Sequence, residues 1–250
     1  MSTIAFTALS TATFKEWRRD KVGLFFSFLF PLVFLVIFGV LFHGESYGGK
    51  TYVDIIGPGV MSWAVANGAV FGVAYWLVGW RTSDLLRLVR MTPTRVPSVL
   101  TSRFAVSIVS GVIQAAFFLG FATLPFLGLH LELRSALVIL PLVAGILAFA
   151  ALGLLVGTYA PSPDAGAAIA NTIVLPMAFL SGTFYPVAGM PEWIQTLSLA
   201  LPMRHLIDGA AAAVAGESLR DVLVPTLILL GFAVLFSAFA GRMFRWSSKD

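Results

Sequence analysis

The 250-residue sequence contains no cysteine, only three histidines and few charged residues, which make up 11% of the chain. Without cysteine the protein has no disulfide framework, no thiol nucleophile and no thiolate metal site. Its hydrophobic fraction of 58% and its mean hydropathy of +0.92 exceed what one soluble core of this length can bury. The composition therefore predicts an integral membrane protein.

Six apolar segments are long enough to cross a bilayer, whose hydrocarbon core of about 30 Å needs about 20 helical residues. The predicted spans are 24–42, 55–80, 104–126, 135–160, 167–186 and 222–241. The preceding segment 4–20 combines aromatic and basic residues, which indicates a helix in the membrane interface. No internal repeat or soluble domain is visible, so we expect residues 1–250 to form one all-α transmembrane domain. Any soluble component is then expected to be a separate polypeptide.

The basic residues indicate the orientation of the chain. Of 16 Lys and Arg residues, 12 lie in segments that the predicted spans place on the side of the termini, and four lie on the other side. The positive-inside rule then predicts a multi-pass membrane protein with both termini in the cytoplasm. Because this distribution accounts for the positive net charge, no nucleic-acid partner is expected.

The fifth predicted span is interrupted at its outer end. An apolar run is followed by Ser181-Gly182, by Pro186 and Pro191, and then by an amphipathic segment that reaches Ala215. Backbone that stops being helical at membrane depth is tolerated only against protein or a water-filled path. We therefore expect a re-entrant helical region between spans five and six, at a place where a compound passes or is kept from passing.

The six predicted spans contain no Asp, Glu, Lys or Arg, so they lack the usual residues of ion-coupled transport. Energy is therefore expected to come from a cytoplasmic partner. Phenylalanine recurs at every fourth position from Phe26 to Phe42, and this stripe either lines a cargo path or contacts lipid and other helices. The candidate residues of a cargo path are Phe30, Phe34, Asn67 and Asn171.

Two catalytic interpretations do not fit their context. Residues 44–51 match the phosphate-binding pattern G-x-x-x-x-G-K-[ST], but they follow a membrane span, precede a Gly- and Pro-containing segment and are predicted to be extracellular. Ser181 would need a nearby base to act as a nucleophile in an intramembrane hydrolase. His43, His130 and His205 all fall outside the predicted spans, and no metal site is expected.

The inner loop 81–103 is basic and contains a short periodic segment. Residues 84–90 place apolar side chains at helical spacing and end before Thr92-Pro93, which predicts a short amphipathic helix. Such a helix either fits a groove on a partner protein or forms a solvated basic loop that sets orientation and touches anionic lipid. Both interpretations remain open from the loop alone.

These features together resemble the permease subunit of type 2 ABC exporters, the class that includes drug-resistance and polysaccharide exporters. The similarity runs along nearly the whole chain and is strongest in residues 151–155 and 171–202, and the second of these segments resembles the family's fifth span and outer re-entrant region. Residues 52–59 are similar to its entry into the second span, and residues 15–21 to its basic interfacial start. In residues 84–87 the chain has Asp-Leu-Leu-Arg, where the family commonly has Gly followed by a small or apolar residue and often an acidic one.

The resemblance implies a permease dimer, with an identical or related second subunit, driven by two cytoplasmic ATPases that bind ATP and Mg. This chain would bind no cofactor and would export an amphipathic drug-like, lipid or lipid-linked compound, whereas the alternative is an ATP-independent multidrug carrier. Coupling to the ATPase is assigned to Lys15, Glu16, Trp17, Arg18, Arg19, Asp84, Leu86, Arg87, Arg90, Thr92 and Pro93. The outer gate is assigned to Pro176, Ser181, Gly182, Tyr185, Pro186, Pro191 and Trp193.

Overall fold

The computed structural model describes residues 3–42, 46–47, 50–83, 96–125, 127–129, 131 and 133–243. Within these ranges the chain is almost entirely helical, and six helices are long and apolar enough to cross a membrane. This confirms the prediction of an all-α protein with six spans. A two-residue antiparallel hairpin, β1 (Ser46–Tyr47) with β2 (Lys50–Thr51), lies between the first and second spans.

The described helices are α1 (Thr3–Arg19), α2 (Lys21–Leu41), α3 (Tyr52–Thr82), α4 (Val96–Ala122), α5 (Ile139–Tyr159), α6 (Pro163–Leu180), α7 (Glu192–Ser198), α8 (Pro202–Val214) and α9 (Leu219–Met243). Two short 3-10 helices, Leu133–Val138 and Val187–Gly189, precede α5 and α7. Because successive spans run in opposite directions, the bundle has an α1 end, where α3 and α5 finish, and an α7 end, where α3 and α5 begin.

Helices α3 and α5 form the centre of the bundle. In each of them 72% of the most apolar window is buried, against 22–33% in the other four spans. Small residues allow this close packing: a Cβ on Gly153 of α5 would lie 2.4 Å from the carbonyl oxygen of Val70 on α3, and one on Gly157 would lie 3.0 Å from Leu77 Cβ. The glycine pair in α5 thus serves packing between two helices of the same chain.

Helix α2 contains a π-helical turn, Phe25–Leu29, which ends two residues before Pro31. Proline has no amide hydrogen, so the carbonyl of Ser27 loses the donor that residue 31 would supply in an α-helix. Gln114 of α4 replaces it, since its Nε2 donates to the Ser27 oxygen at 2.6 Å. A backbone group that lipid could not satisfy is thereby paired by a neighbouring helix.

Helix α3 begins earlier than the predicted residue 55 because Thr51 and Asp54 form a capping box at its start. The Thr51 hydroxyl donates to Asp54 Oδ2 at 2.7 Å and accepts from the Asp54 amide. A helix therefore begins directly after the phosphate-binding pattern, and the last residue of that pattern, Thr51, caps its start. Residues 43–45 and 48–49, which include His43 and half of that pattern, lie outside the described residues.

Two other predicted spans also had wrong boundaries. Helix α4 covers 96–122, not 104–126, because the chain turns after Ala122. Helix α6 covers 163–180, not 167–186, because Ser162 caps its start and Pro163 occupies the first turn. The prediction that the spans contain no charged residue was consequently wrong, since the candidate span Ser98–Ala122 includes Arg103. The remaining predicted spans and the interfacial segment agree with the helices to within a few residues at each end.

Helices α7 and α8 form the region between the fifth and sixth spans. Helix α8 packs into the bundle against α3, α5 and α9, with Met203, Leu206 and Ala210 fully buried. Gly145 of α5 leaves space for the Leu206 side chain, and Gly209 of α8 lies against Pro141. This arrangement confirms the predicted re-entrant helical region.

Candidate functional site

An aromatic cluster at the α7 end of the bundle joins α2, α3 and α6. We define it by the residues Phe30, Phe34, Phe38, Trp63, Phe179 and Phe184. Phe184 is its centre, with ring centroids 5.6 Å from Phe34, 6.1 Å from Phe38, 5.3 Å from Trp63 and 5.1 Å from Phe179. Aromatic pairs at these separations are favourable beyond the area that they bury. The cluster therefore fixes the loop after α6 to the first two spans.

The structure places two of the four candidate cargo-path residues in this cluster. Phe30 and Phe34 contact each other at 5.1 Å and contact Trp63 at 6.2 and 5.8 Å. Asn67 lies one turn of α3 beyond Trp63 and is partly buried, whereas Asn171 is exposed on α6. The aromatic cluster thus shows the phenylalanine stripe packing against other elements, and neither asparagine belongs to it.

The loop that follows α6 is pressed against the start of α3. The Tyr52 hydroxyl donates to the carbonyl oxygen of Phe184 at 3.0 Å. A Cβ on Gly59 would lie 2.7 Å from the backbone oxygen of Thr183, so glycine is required for this approach. Gly182 has φ +90°, a conformation that side-chain-bearing residues rarely adopt, and it ends α6 two residues after Leu180. The break predicted at Ser181-Gly182 thus coincides with the end of the helix.

Several buried polar atoms at this contact have no hydrogen-bond partner among the described residues. They are Ser62 Oγ, Trp63 Nε1, Ser181 Oγ and Thr183 Oγ1. Buried polar groups are usually paired, but these four side chains do not hold the contact, which depends on the aromatic rings, the close backbone approach and the Tyr52 hydrogen bond. Because no described base contacts Ser181 Oγ, the hydrolase interpretation has no support here.

The other predicted gate residues lie around this loop with different exposure. Pro176 is inside α6, which continues through it to Leu180. Tyr185 and Trp193 are largely exposed, at 55% and 65%. Pro186 precedes the short 3-10 helix and Pro191 caps α7. The structure therefore buries Ser181 beside Thr183 and Phe184, the loop residues that contact α3, while Tyr185 and Trp193 are exposed.

The predicted coupling residues of α1 lie at the opposite end of the bundle. Lys15, Glu16, Arg18 and Arg19 are exposed. Trp17 is partly buried between Phe14 and Phe28, with ring centroids at 5.3 and 6.5 Å, and so anchors α1 to α2. The remaining coupling residues, together with the predicted helix 84–90, lie outside the described residues: Asp84, Leu86, Arg87, Arg90, Thr92 and Pro93.

Two arginines that the sequence placed in an inner loop are buried in helices at the α1 end. Arg81 donates from Nη1 to the carbonyl oxygen of Thr158 at 2.6 Å and from Nη2 to that of Ala160. It thus satisfies carbonyls at the end of α5, which have no intrahelical donors. Arg103 lies in the second turn of α4 and is 7% exposed. The hydropathy pattern began the third span at residue 104 and so placed Arg103 in the loop, and no local signal in the sequence indicated that Arg103 is buried.

Helix α8 carries an ion pair into the α7 end of the bundle. Arg204 Nε donates to Asp208 Oδ2 at 2.6 Å, and both side chains are partly exposed. Burial raises the pKa of the Asp208 carboxyl, while the charge and hydrogen bond of Arg204 act in the opposite direction. His205 Nε2–H donates to the Leu199 carbonyl oxygen at 2.9 Å, so this histidine is used in connecting α7 to α8.

Comparison with known proteins identifies the family. The profile of the ABC-2 type transporter matches residues 4–215. The daunorubicin resistance ABC transporter permease protein DrrB1 of Streptomyces coeruleorubidus is 26% identical over 255 residues, which cover 96% of this chain and 87% of that protein. The inner membrane transport permease YadH of Escherichia coli K12 is 28% identical over 212 residues, which cover 82% of this chain and 78% of that protein.

Two further relatives are matched over less of their length. Nodulation protein J of Rhizobium leguminosarum bv. trifolii is 27% identical over 180 residues, covering 70% of this chain and 66% of that protein. The match to nodulation protein J of Rhizobium leguminosarum bv. viciae covers 34% of that protein. The family profile spans most of the chain, from α1 through α8, and on this basis the protein belongs to the ABC-2 type transporter family.

Proposed function

We propose that this chain is the permease subunit of an ATP-driven exporter in the bacterial inner membrane. It moves an amphipathic drug-like, lipid or lipid-linked compound out of the cell and binds no ATP itself. ATP and Mg bind to a separate cytoplasmic ATPase, and a second permease subunit, identical or related, completes the pore. Family membership and the relatives named as permeases support this assignment.

The single observation that carries the export function is the position of Phe184. Its ring joins the phenylalanines of α2 to Trp63 of α3 and to the end of α6, while its backbone accepts a hydrogen bond from Tyr52. Movement of this one loop would separate three spans at the α7 end. The contact is therefore suited to act as a gate, closed in the arrangement seen here.

The chemical character of the cargo follows from the side chains around this gate. The aromatic cluster is apolar, and Phe30 and Phe179 are 41% and 57% exposed at its edge. Aromatic surface of this kind favours an amphipathic or lipid-like compound over a small ion. The name of the daunorubicin resistance relative agrees with such a cargo.

Energy has to reach the gate from the opposite end of the bundle. With both termini in the cytoplasm, as the distribution of basic residues predicts, the exposed charges of α1 and the loop after α3 face a cytoplasmic ATPase. Helix α3 extends from the start of the gate contact at Tyr52 to Thr82, where this loop begins. It would therefore transmit ATP-driven movements through the membrane.

Charge reversal at Arg87 and Arg90 is expected to uncouple ATP hydrolysis from export while leaving membrane insertion intact. The paired change to glutamate would repel an acidic groove on the ATPase, and we expect ATP-dependent export in inside-out vesicles to fall by about tenfold or more. Export and ATP hydrolysis are measured in the same vesicles, with membrane insertion followed by fractionation. Arg242→Glu is the matched control, since Arg242 is exposed in the last turn of α9 outside the coupling segments.

Unchanged export in the Arg87→Glu/Arg90→Glu vesicles would overturn the coupling role of this loop. Export by the purified chain in liposomes without any ATPase would instead identify an ATP-independent carrier. Turnover of a substrate by the purified chain would identify a membrane enzyme.

A further inference from the structure

Arg103 is a buried cation that forms no ion pair with any residue the structure describes. It lies near the α1 end of the bundle in the second turn of α4, the helix on which α1 packs, and it is 7% exposed. Its Nε has no hydrogen-bond partner, and no residue that the structure describes forms an ion pair with its guanidinium. An unpaired buried charge is strongly unfavourable, so the native protein in its membrane is expected to supply an acceptor.

A second unpaired donor lies beside it. Arg103 Cζ is 5.9 Å from the centroid of the Trp76 ring, and the indole Nε1–H of Trp76 is buried without an acceptor among the described residues. Arginine and tryptophan side chains donate hydrogen bonds but accept none. Two adjacent donor-only groups require the same kind of ligand, one that carries oxygen acceptors and negative charge.

The Arg103 guanidinium packs against α3 and lies within electrostatic reach of one acidic residue of α1. A Cβ on Gly72 would lie 2.7 Å from Arg103 Nη2, so glycine at this position leaves room for the guanidinium. Glu16 of α1 attracts Arg103 electrostatically but is exposed and forms no hydrogen bond with it. The guanidinium therefore keeps its donors available.

We infer that Arg103 and Trp76 form a binding site for the phosphate group of a membrane phospholipid at the α1 end of the bundle. Guanidinium donors match phosphate oxygens in pairs, and basic pockets between spans commonly hold lipid headgroups. A lipid is favoured over free phosphate because Arg103 lies in a membrane-spanning helix. In addition, Trp76 contacts Trp80 with ring centroids 4.9 Å apart, and paired tryptophans are typical of a membrane interface. The site is independent of the proposed export function.

Native mass spectrometry of the full-length purified chain tests this site. The delipidated protein is titrated with phosphatidylglycerol, and diacylglycerol serves as the lipid without phosphate. We expect wild type to bind phosphatidylglycerol at a saturable site and to bind no diacylglycerol there. Arg103→Gln is expected to weaken binding by about tenfold or more, because a charge-assisted contact is lost. Arg242→Gln, which removes an exposed charge at the same end of the bundle, is expected to bind as wild type does.

A second site variant and a competition experiment complete the test. If Arg103→Gln fails to fold, lipid binding is measured with Trp76→Phe instead, because this substitution removes the Nε1 donor and keeps an aromatic ring. Trp80→Phe is the control for Trp76→Phe. Inorganic phosphate and glycerol phosphate are not expected to compete with the lipid at equal concentration. The inference is overturned by equal lipid binding in wild type and both site variants, by an equal loss in the site and control variants, or by full competition from free phosphate.

Discussion

Replacing Phe184 with alanine is expected to open the gate without ATP. The Phe184 ring makes four aromatic contacts, and their loss removes on the order of 2–4 kcal/mol from the closed arrangement. A change of this size shifts the balance between closed and open states by roughly thirtyfold or more. In proteoliposomes that contain the complete transporter, passive leak of a preloaded amphipathic dye should rise and net ATP-driven export should fall.

The matched control for this prediction is Phe239→Ala. Phe239 is 48% exposed on α9 and lies outside the aromatic cluster, so its loss should leave leak and export unchanged. Phe184→Leu keeps apolar volume and removes only the ring, which makes the test usable if the alanine variant is unstable. If Phe184→Ala and Phe239→Ala have equal leak and equal export, the aromatic cluster does not hold the gate.

Replacing Gly153 with alanine is expected to destabilise the whole bundle. The added Cβ would lie 2.4 Å from the carbonyl oxygen of Val70 and 3.0 Å from its Cα, and backbone atoms cannot move aside as a flexible side chain can. Helices α3 and α5 must then separate at the most buried part of the protein. We expect a loss of about 1–3 kcal/mol in the free energy of unfolding, measured by thermal unfolding in detergent.

Gly120→Ala is the control for this substitution. Gly120 is also inside a membrane-spanning helix, but a Cβ there would meet no atom within 4 Å. Alanine has the higher helix propensity, so this variant should be as stable as wild type or slightly more stable. A Gly153→Ala protein that unfolds at the wild-type temperature would show that α3 and α5 are not packed as closely as described.

Local patterns in the sequence predicted most of the helices, but they did not predict which helices pack against one another. Hydropathy predicted six spans, and Ser181-Gly182 predicted the break after α6, because both depend on residues adjacent in the chain. The start of α4 was predicted too late, at residue 104, because Arg103 interrupts the apolar run. Only its packing against α1 and α3 shows that Arg103 is buried. Thr51 and Asp54 mark the start of α3, whereas hydropathy alone predicts that this span begins at residue 55.

The aromatic cluster could be predicted only in part. The fourfold spacing from Phe26 to Phe42 identified a stripe on α2, including Phe30 and Phe34. Its partners Trp63 and Phe184 carry no local pattern, and the hydrogen bond that fixes the loop joins Tyr52 to Phe184 across 132 residues. Contacts between residues so far apart in the chain depend on how the spans pack together. Periodicity along one helix contains no information about that packing.

The central claim is that a partner ATPase opens the gate at the α7 end, and a single introduced cysteine tests it most directly. The native chain has no cysteine, and Thr183 is fully buried in the gate contact, so Thr183→Cys reports opening without interference. Tyr185→Cys, at a position that is 55% exposed, controls for access of the reagent.

The measurement is the rate at which a membrane-impermeant maleimide labels Thr183→Cys from outside, in membranes that contain the chain together with its copurifying ATPase. We predict that this rate changes by about tenfold or more between nucleotide states, that it stays constant when the ATPase is absent, and that Tyr185→Cys is labelled in every state. A Thr183→Cys rate that ignores nucleotide while ATP-driven export continues would contradict the account.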